Sequence, residues 1–157
     1  MAEAHILRFA VGAFDDWTDV DCGIEDLRRR GFASDRCSCL ALELAFANAA
    51  APARFRQPAA IRQLAFPNGR GTLACTIGPL AECLVDRLRL GATTLDDALR
   101  RWLLPRHAAH FQKLVETGKI LVWVLLADAE DERRACQSLL IHSSDSVGVH
   151  DLSAPPR

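Results

Sequence analysis

Apolar and polar positions change period several times along the chain, and each change predicts an element. His5 to Phe14 (HILRFAVGAF) is apolar except for Arg8, which predicts a first strand covered on both faces or with one edge exposed. Trp17, Val20, Ile24 and Leu27 then recur at spacings of three and four, the stripe of an amphipathic helix. Asp15 and Asp16 stand before it as N-cap oxygens for its free backbone donors. Arg28, Arg29 and Arg30 complement the helix dipole at the other end, and Gly31 suits a left-handed cap with Phe32 folding back behind it.

Residues 35–44 (DRCSCLALEL) alternate, with Cys37, Cys39 and Ala41 on one side and Leu40, Leu42 and Leu44 on the other, as in a second strand. Residues 45–69 carry Pro52, Pro58 and Pro67 and close on Pro-Asn-Gly, which predicts an irregular connection with one short helical turn near 59–65. Pro79 opens a helix striped by Leu80, Leu84 and Leu88 and ending at Gly91. Thr94 and Asp97 form a capping box for a helix through Ala98 and Trp102. Pro105 starts another, with core contacts from Phe111, Leu114 and Val115 and a stop at Gly118. Residues 120–126 are an unbroken apolar run around Trp123, a central strand. Asp128 caps a final helix with Glu130, Asp131 and Glu132 in its first turn, and residues 146–152 close as a strand before Pro155 and Pro156.

The resulting order predicts an α+β fold: a ferredoxin-like βαββαβ sandwich with a mostly helical insertion between strands 2 and 3. It is read as a single domain over 1–157: a first half at 5–44, the insertion at 45–118, a second half at 119–152 and a tail at 153–157. Such a sheet carries helices on one face. Its other apolar face needs cover, supplied by the insertion or by a second subunit, so a homodimer is expected.

Composition narrows the classes. Nineteen Lys and Arg stand against 20 Asp and Glu, a net charge of -1, which exerts no general pull on nucleic acid or anionic membrane. The N-terminus has no signal-peptide pattern, and the longest uncharged runs, 71–81 and 120–127, fall far short of the roughly 20 residues of a membrane helix. The chain is expected to be soluble and cytoplasmic. Its six cysteines (Cys22, Cys37, Cys39, Cys75, Cys83 and Cys136) form no CxxC pair and are expected to pack as small hydrophobes.

Two blocks, VGAFDDWTDVDCGIEDLRRRGF and LPRHAAHFQKLVETGKILVWVLLADAEDERRACQSLL, resemble a bacterial general-stress or heat-induced-stress protein-like domain family of unknown function. Residues 77–80 (IGPL) are similar to that family's middle segment, which is commonly rich in Gly and Ala. Here that segment is charged, with Glu82, Asp86, Arg87, Arg89, Asp96, Asp97, Arg100 and Arg101. The resemblance implies a stress-associated role and transfers no functional residue.

Candidate chemistry is sparse. His107 and His110 are spaced i, i+3 on a helix, which lets two imidazoles share a metal, with Cys136, His142 or His150 as further ligands. A zinc site needs three or four ligands, so two partly exposed helix histidines are the plainer reading, and no metal site is assigned. Cys37 and Cys39 share one strand face without disulfide geometry, which favours packing over redox or metal chemistry. Ser143, Ser144 and Asp145 lie beside His142 but read as a turn. No GxSxG, phosphate loop or HExxH is present, and Gly69-Arg70-Gly71 is too short to claim a phosphate. Arg54, Arg56, Arg62 and Arg70, interleaved with Phe55 and Phe66, form a basic-aromatic cluster of the kind that grips single strands, but the near-neutral charge speaks against nucleic acid.

No catalytic residue and no cofactor emerge. The leading expectation is a non-enzymatic stress-associated or regulatory protein acting through self-association or partner binding. The alternative is a small-molecule binder or enzyme using a cleft between the sheet and the insertion, lined by Trp102, Trp123 and the histidines.

Overall fold

The computed structural model describes residues 5–55 and 57–155. Six strands, β1 (His5–Phe14), β2 (Cys37–Leu42), β3 (Ile61–Leu64), β4 (Leu73–Thr76), β5 (Ile120–Leu126) and β6 (Gly148–Ala154), form one sheet in the order β3-β4-β2-β5-β1-β6. Every neighbouring pair is antiparallel. The fold is therefore α+β, but the four-stranded sheet expected from the sequence is corrected to six. The added pair is a hairpin inside the insertion: Leu64 faces Leu73 and Ile61 faces Thr76 across residues 65–72. The helical turn expected at 59–65 is a 3-10 turn at Pro58–Ala60 that leads straight into β3. The second strand is also shorter than expected, because Ser34–Arg36 forms a 3-10 turn and the chain leaves the sheet at Glu43–Phe46 as the short helix α2.

Alternation along the strands divides the core into two. Phe9, Val11 and Ala13 of β1 join Leu40, Leu73, Cys75, Leu121, Trp123 and Leu152 on one face. Ala10, Phe14, Cys37, Cys39, Ala41, Val122 and Val124 lie on the other. The second face is covered by α1 (Trp17–Arg29) and α6 (Ala129–His142), whose stripes Val20, Ile24, Leu27 and Ala135, Leu139 are buried. The first face is covered by the helices of the insertion, α3 (Pro79–Arg89), α4 (Leu95–Leu99) and α5 (Pro105–Glu116). The insertion thus covers the face for which either it or a second subunit was expected.

Local chemistry sets the helix ends. Asp16, Thr94 and Asp128 each accept a hydrogen bond from the backbone N–H three residues on, at 2.9, 2.9 and 2.8 Å. Asp15 does not cap; it pairs with Lys119. Gly31 closes α1 at φ 101°, where the Phe32 N–H returns to the Leu27 carbonyl at 3.0 Å. The α4 helix stops at Leu99, short of the expected Trp102.

The helix α3 touches both edge strands, β3 and β6. In a flat sheet those strands would lie five spacings, or about 24 Å, apart. A helix is only about 10–12 Å across with its side chains. The sheet therefore curls around α3, and where its rim meets the helix a cleft remains.

Candidate functional site

That cleft, of about 610 Å³, lies at the end of the sheet where β1 begins, β6 ends and β4 passes into α3. The volume falls within the usual range of small-ligand sites, roughly 300–1,000 Å³. Two stripes on α3 explain its position. Leu80 and Leu84 point into the core and are fully buried, while Glu82, Val85, Asp86 and Arg89, again three and four apart, line the cleft. Leu7, Ile77, Ala81 and Ala154 add apolar surface, and His5 and Arg62 add polar groups at the rim. Arg62 and Arg89 form no ion pair among the described residues, so both guanidinium groups remain available to a ligand.

At the start of α6, which packs on the face of the sheet opposite α3, a charged cluster ties α6 to β2 and β5. Asp131, 4 % exposed, accepts hydrogen bonds from Arg36 at 2.5 Å, from Arg134 at 2.7 Å and from the Ala127 backbone N–H at 2.9 Å. The hydrogen bond from the Arg36 guanidinium does most to hold the Asp131 carboxyl down at about 2, against the opposing effect of burial. Arg36 also donates to the Leu125 carbonyl at 2.7 and 3.1 Å, joining the start of β2 to the end of β5. Phe32 lies against both guanidinium groups, 4.8 Å from Arg36 and 5.4 Å from Arg134.

The cleft expected between sheet and insertion exists, but its lining differs. Trp123 is fully buried beneath α5, with Phe9 and Phe111 at ring distances of 5.8 and 5.5 Å. Trp102 is half-buried against the same core. Neither lines the cleft, and of the histidines only His5 does.

The helix pair His107 and His110 separates to different partners. His107 faces His150 of β6 with ring centroids 5.5 Å apart, whereas His110 Nε2 meets Asp145 at 3.4 Å. His142 pairs with Asp26 on the opposite face of the sheet. Among the described residues no three His, Cys, Asp or Glu side chains converge on a metal position.

Ser143 Oγ accepts from the Ala13 N–H at 3.0 Å and bonds the Ala13 carbonyl at 2.9 Å, so it ties the turn to β1. Cys37, Cys39, Cys75 and Cys83 are buried. Burial pushes the Cys37 thiol up to about 11 and Cys83 to about 12, and raises Cys39 and Cys75 as well. These thiols stay protonated at neutral pH, and the geometry gives them no nucleophilic role.

The basic-aromatic cluster is split. Arg54 stacks on Phe55 at 4.6 Å, and Phe55 packs with Trp17 and Phe46. Phe66 is buried on the other face, Arg70 reaches Glu116 at 3.7 Å, and Arg56 lies outside the described residues. Phe46, Phe55, Ile61 and Arg62 do share a second groove of about 630 Å³ beside β3. Among the described residues no helix is long and apolar enough to cross a membrane.

Comparison with protein-family models, with curated proteins and with solved structures finds no match to the chain.

Proposed function

We propose that the protein is a binding domain that holds a small amphipathic ligand in the cleft between α3 and the rim of β1 and β6. One observation carries this reading: the α3 stripe Glu82, Val85, Asp86, Arg89 lines an open space of about 610 Å³. The floor of Leu7, Ile77, Val85 and Ala154 suits an apolar moiety. Arg62 and Arg89 offer bidentate donors to a carboxylate or phosphate, and Glu82 and Asp86 offer acceptors. A thermal-shift panel of metabolites tests it, with Ile77→Trp as the control. Ile77 is 57 % exposed, so the substitution fills the cleft without entering the core. A compound that raises the melting temperature of the native protein but not of Ile77→Trp supports the reading. No such compound, or equal stabilisation of both, rejects it.

A second reading keeps the stress-associated, regulatory role suggested by the family resemblance and places function in self-association. It is favoured by Leu140 and Ile141, adjacent on α6 and 68 and 66 % exposed, together with the open outer edge of β6. Light scattering at micromolar concentration decides it, since a one-chain mass removes the dimer.

For the scaffold we infer a ferredoxin-like βαββαβ plan extended by the β3–β4 hairpin. With those two strands set aside, the order β2-β5-β1-β6 remains, with α1 and α6 together on one face. A solved structure in which β2 and β1 exchange places would overturn it.

A further inference from the structure

His107 and His150 come from different elements, α5 of the insertion and the edge strand β6, and meet at their junction. His150 is half-buried, with its ring edge-on to Phe111 at 5.6 Å and 6.5 Å from Trp123. A Cβ at Gly148 would stand 3.0 Å from His150 Nε2, so the glycine leaves the imidazole its place. The neighbouring elements bring little compensating charge. The strand partner on β1 is Phe9, and β5 contributes Trp123. Asp151 follows on β6, on the opposite side of the pleat, with Arg8 at 3.8 Å. Asp145, in the turn before β6, is engaged by His110. Among the described residues no carboxylate pairs with His107 or His150.

We propose that the His107–His150 contact is a pH-sensitive latch: with His150 neutral the two rings seat α5 on β6, and a proton on His150, set against Phe111, Trp123 and the neighbouring imidazole, loosens α5 from the sheet. A positive charge on His150 lies against Phe111 and Trp123 on its buried side, beside a second imidazole, and among the described residues no carboxylate pairs with it. Burial first, and then His107, depress the His150 imidazole below its ordinary value of 6.5, while Asp151 opposes weakly. For a base lowered in the folded state, the stabilising contribution is complete above 6.5 and is lost as pH falls through the lower folded value. The loosening therefore belongs to mildly acidic conditions, and it acts on α5, one of the helices that cover the first face of the sheet.

Amide hydrogen exchange on the full chain at about pH 7.5 and about pH 5, corrected for intrinsic rates, tests the latch. Amides from Phe111 to Val115 should lose more protection on acidification than those of α1. In His150→Gln that selective loss should disappear, and in His107→Gln, which leaves the half-buried His150 in place, it should shrink. Equal acid sensitivity of α5 and α1 overturns the proposal, as does a selective loss that survives in both variants.

Discussion

Asp131→Asn removes one charge from a carboxylate held by three hydrogen bonds, which makes its cost calculable. The carboxylate is 4 % exposed and held by two guanidinium groups and one backbone N–H. Its carboxyl is lowered from 3.8 to about 2. At about 1.4 kcal/mol per unit, the shift corresponds to about 2 kcal/mol of stability at neutral pH. The amide keeps one acceptor but presents N–H donors to Arg36 or Arg134, so the loss at pH 7 should be about 2–3 kcal/mol. The sign with pH follows from a depressed acid. The contribution is whole above 3.8 and disappears as pH falls toward 2. By about pH 3 roughly 1 kcal/mol of it is gone from the native protein, and the asparagine variant has none to lose. Urea unfolding of both proteins at about pH 7 and about pH 3 gives the two differences. A gap below about 0.5 kcal/mol at neutral pH, or one that does not narrow in acid, refutes the assignment of Asp131 as the charged anchor between α6 and the start of β2.

Three further outcomes follow from the same geometry. Asp26 is lowered by its hydrogen bonds from Ser138 and Arg30, which outweigh burial, and Asp145 chiefly by the Ser146 N–H; urea midpoints should therefore decline below about pH 4, after the shallower decline that His150 brings below about pH 6.5. Under native conditions a thiol reagent should label the exposed Cys22 rapidly, Cys136 slowly, and the four buried thiols only on unfolding; fast labelling of Cys39 or Cys75 would contradict their burial. Gly12→Val places a Cβ 3.1 Å from Leu139 Cδ2 and 3.3 Å from Ser143, so it should cost about 1–3 kcal/mol in chemical denaturation through overpacking of α6 on β1; a neutral effect would mean that α6 does not lie so close.

The elements legible in the sequence are those whose signals are local. The bounds of β1 and β5 match the apolar runs, α1, α3 and α5 begin and end at the caps, prolines and glycines expected of them, and α6 begins at its Asp128 cap. The β3–β4 hairpin was hidden because neither strand carries a period. Ile61–Leu64 places Arg62 and Gln63 in its middle, and Leu73–Thr76 is four residues of mostly small side chains. Their strand conformation comes from pairing with each other and with β2, which is a tertiary effect. The site was less legible. Glu82, Val85, Asp86 and Arg89 are an ordinary charged helix face until the sheet curls around α3 and leaves a space before it. His107 was matched to His110 by helical spacing, whereas its neighbour His150 lies far along the chain and could be found only in three dimensions. Asp131 showed itself merely as one of three first-turn acids; what sets it apart is the arrival of Arg36 from the start of β2.

The binding role of the cleft is tested most directly by amide chemical-shift mapping of the native chain against a panel of small carboxylates and phosphates that carry apolar groups. The account predicts saturable shifts confined to Ile77, Gly78 and the exposed stripe of α3, together with His5 and Ala154, and their loss in Arg62→Glu. A panel that leaves these amides unmoved, or that shifts only the groove beside β3 or the exposed face of α6, would contradict it.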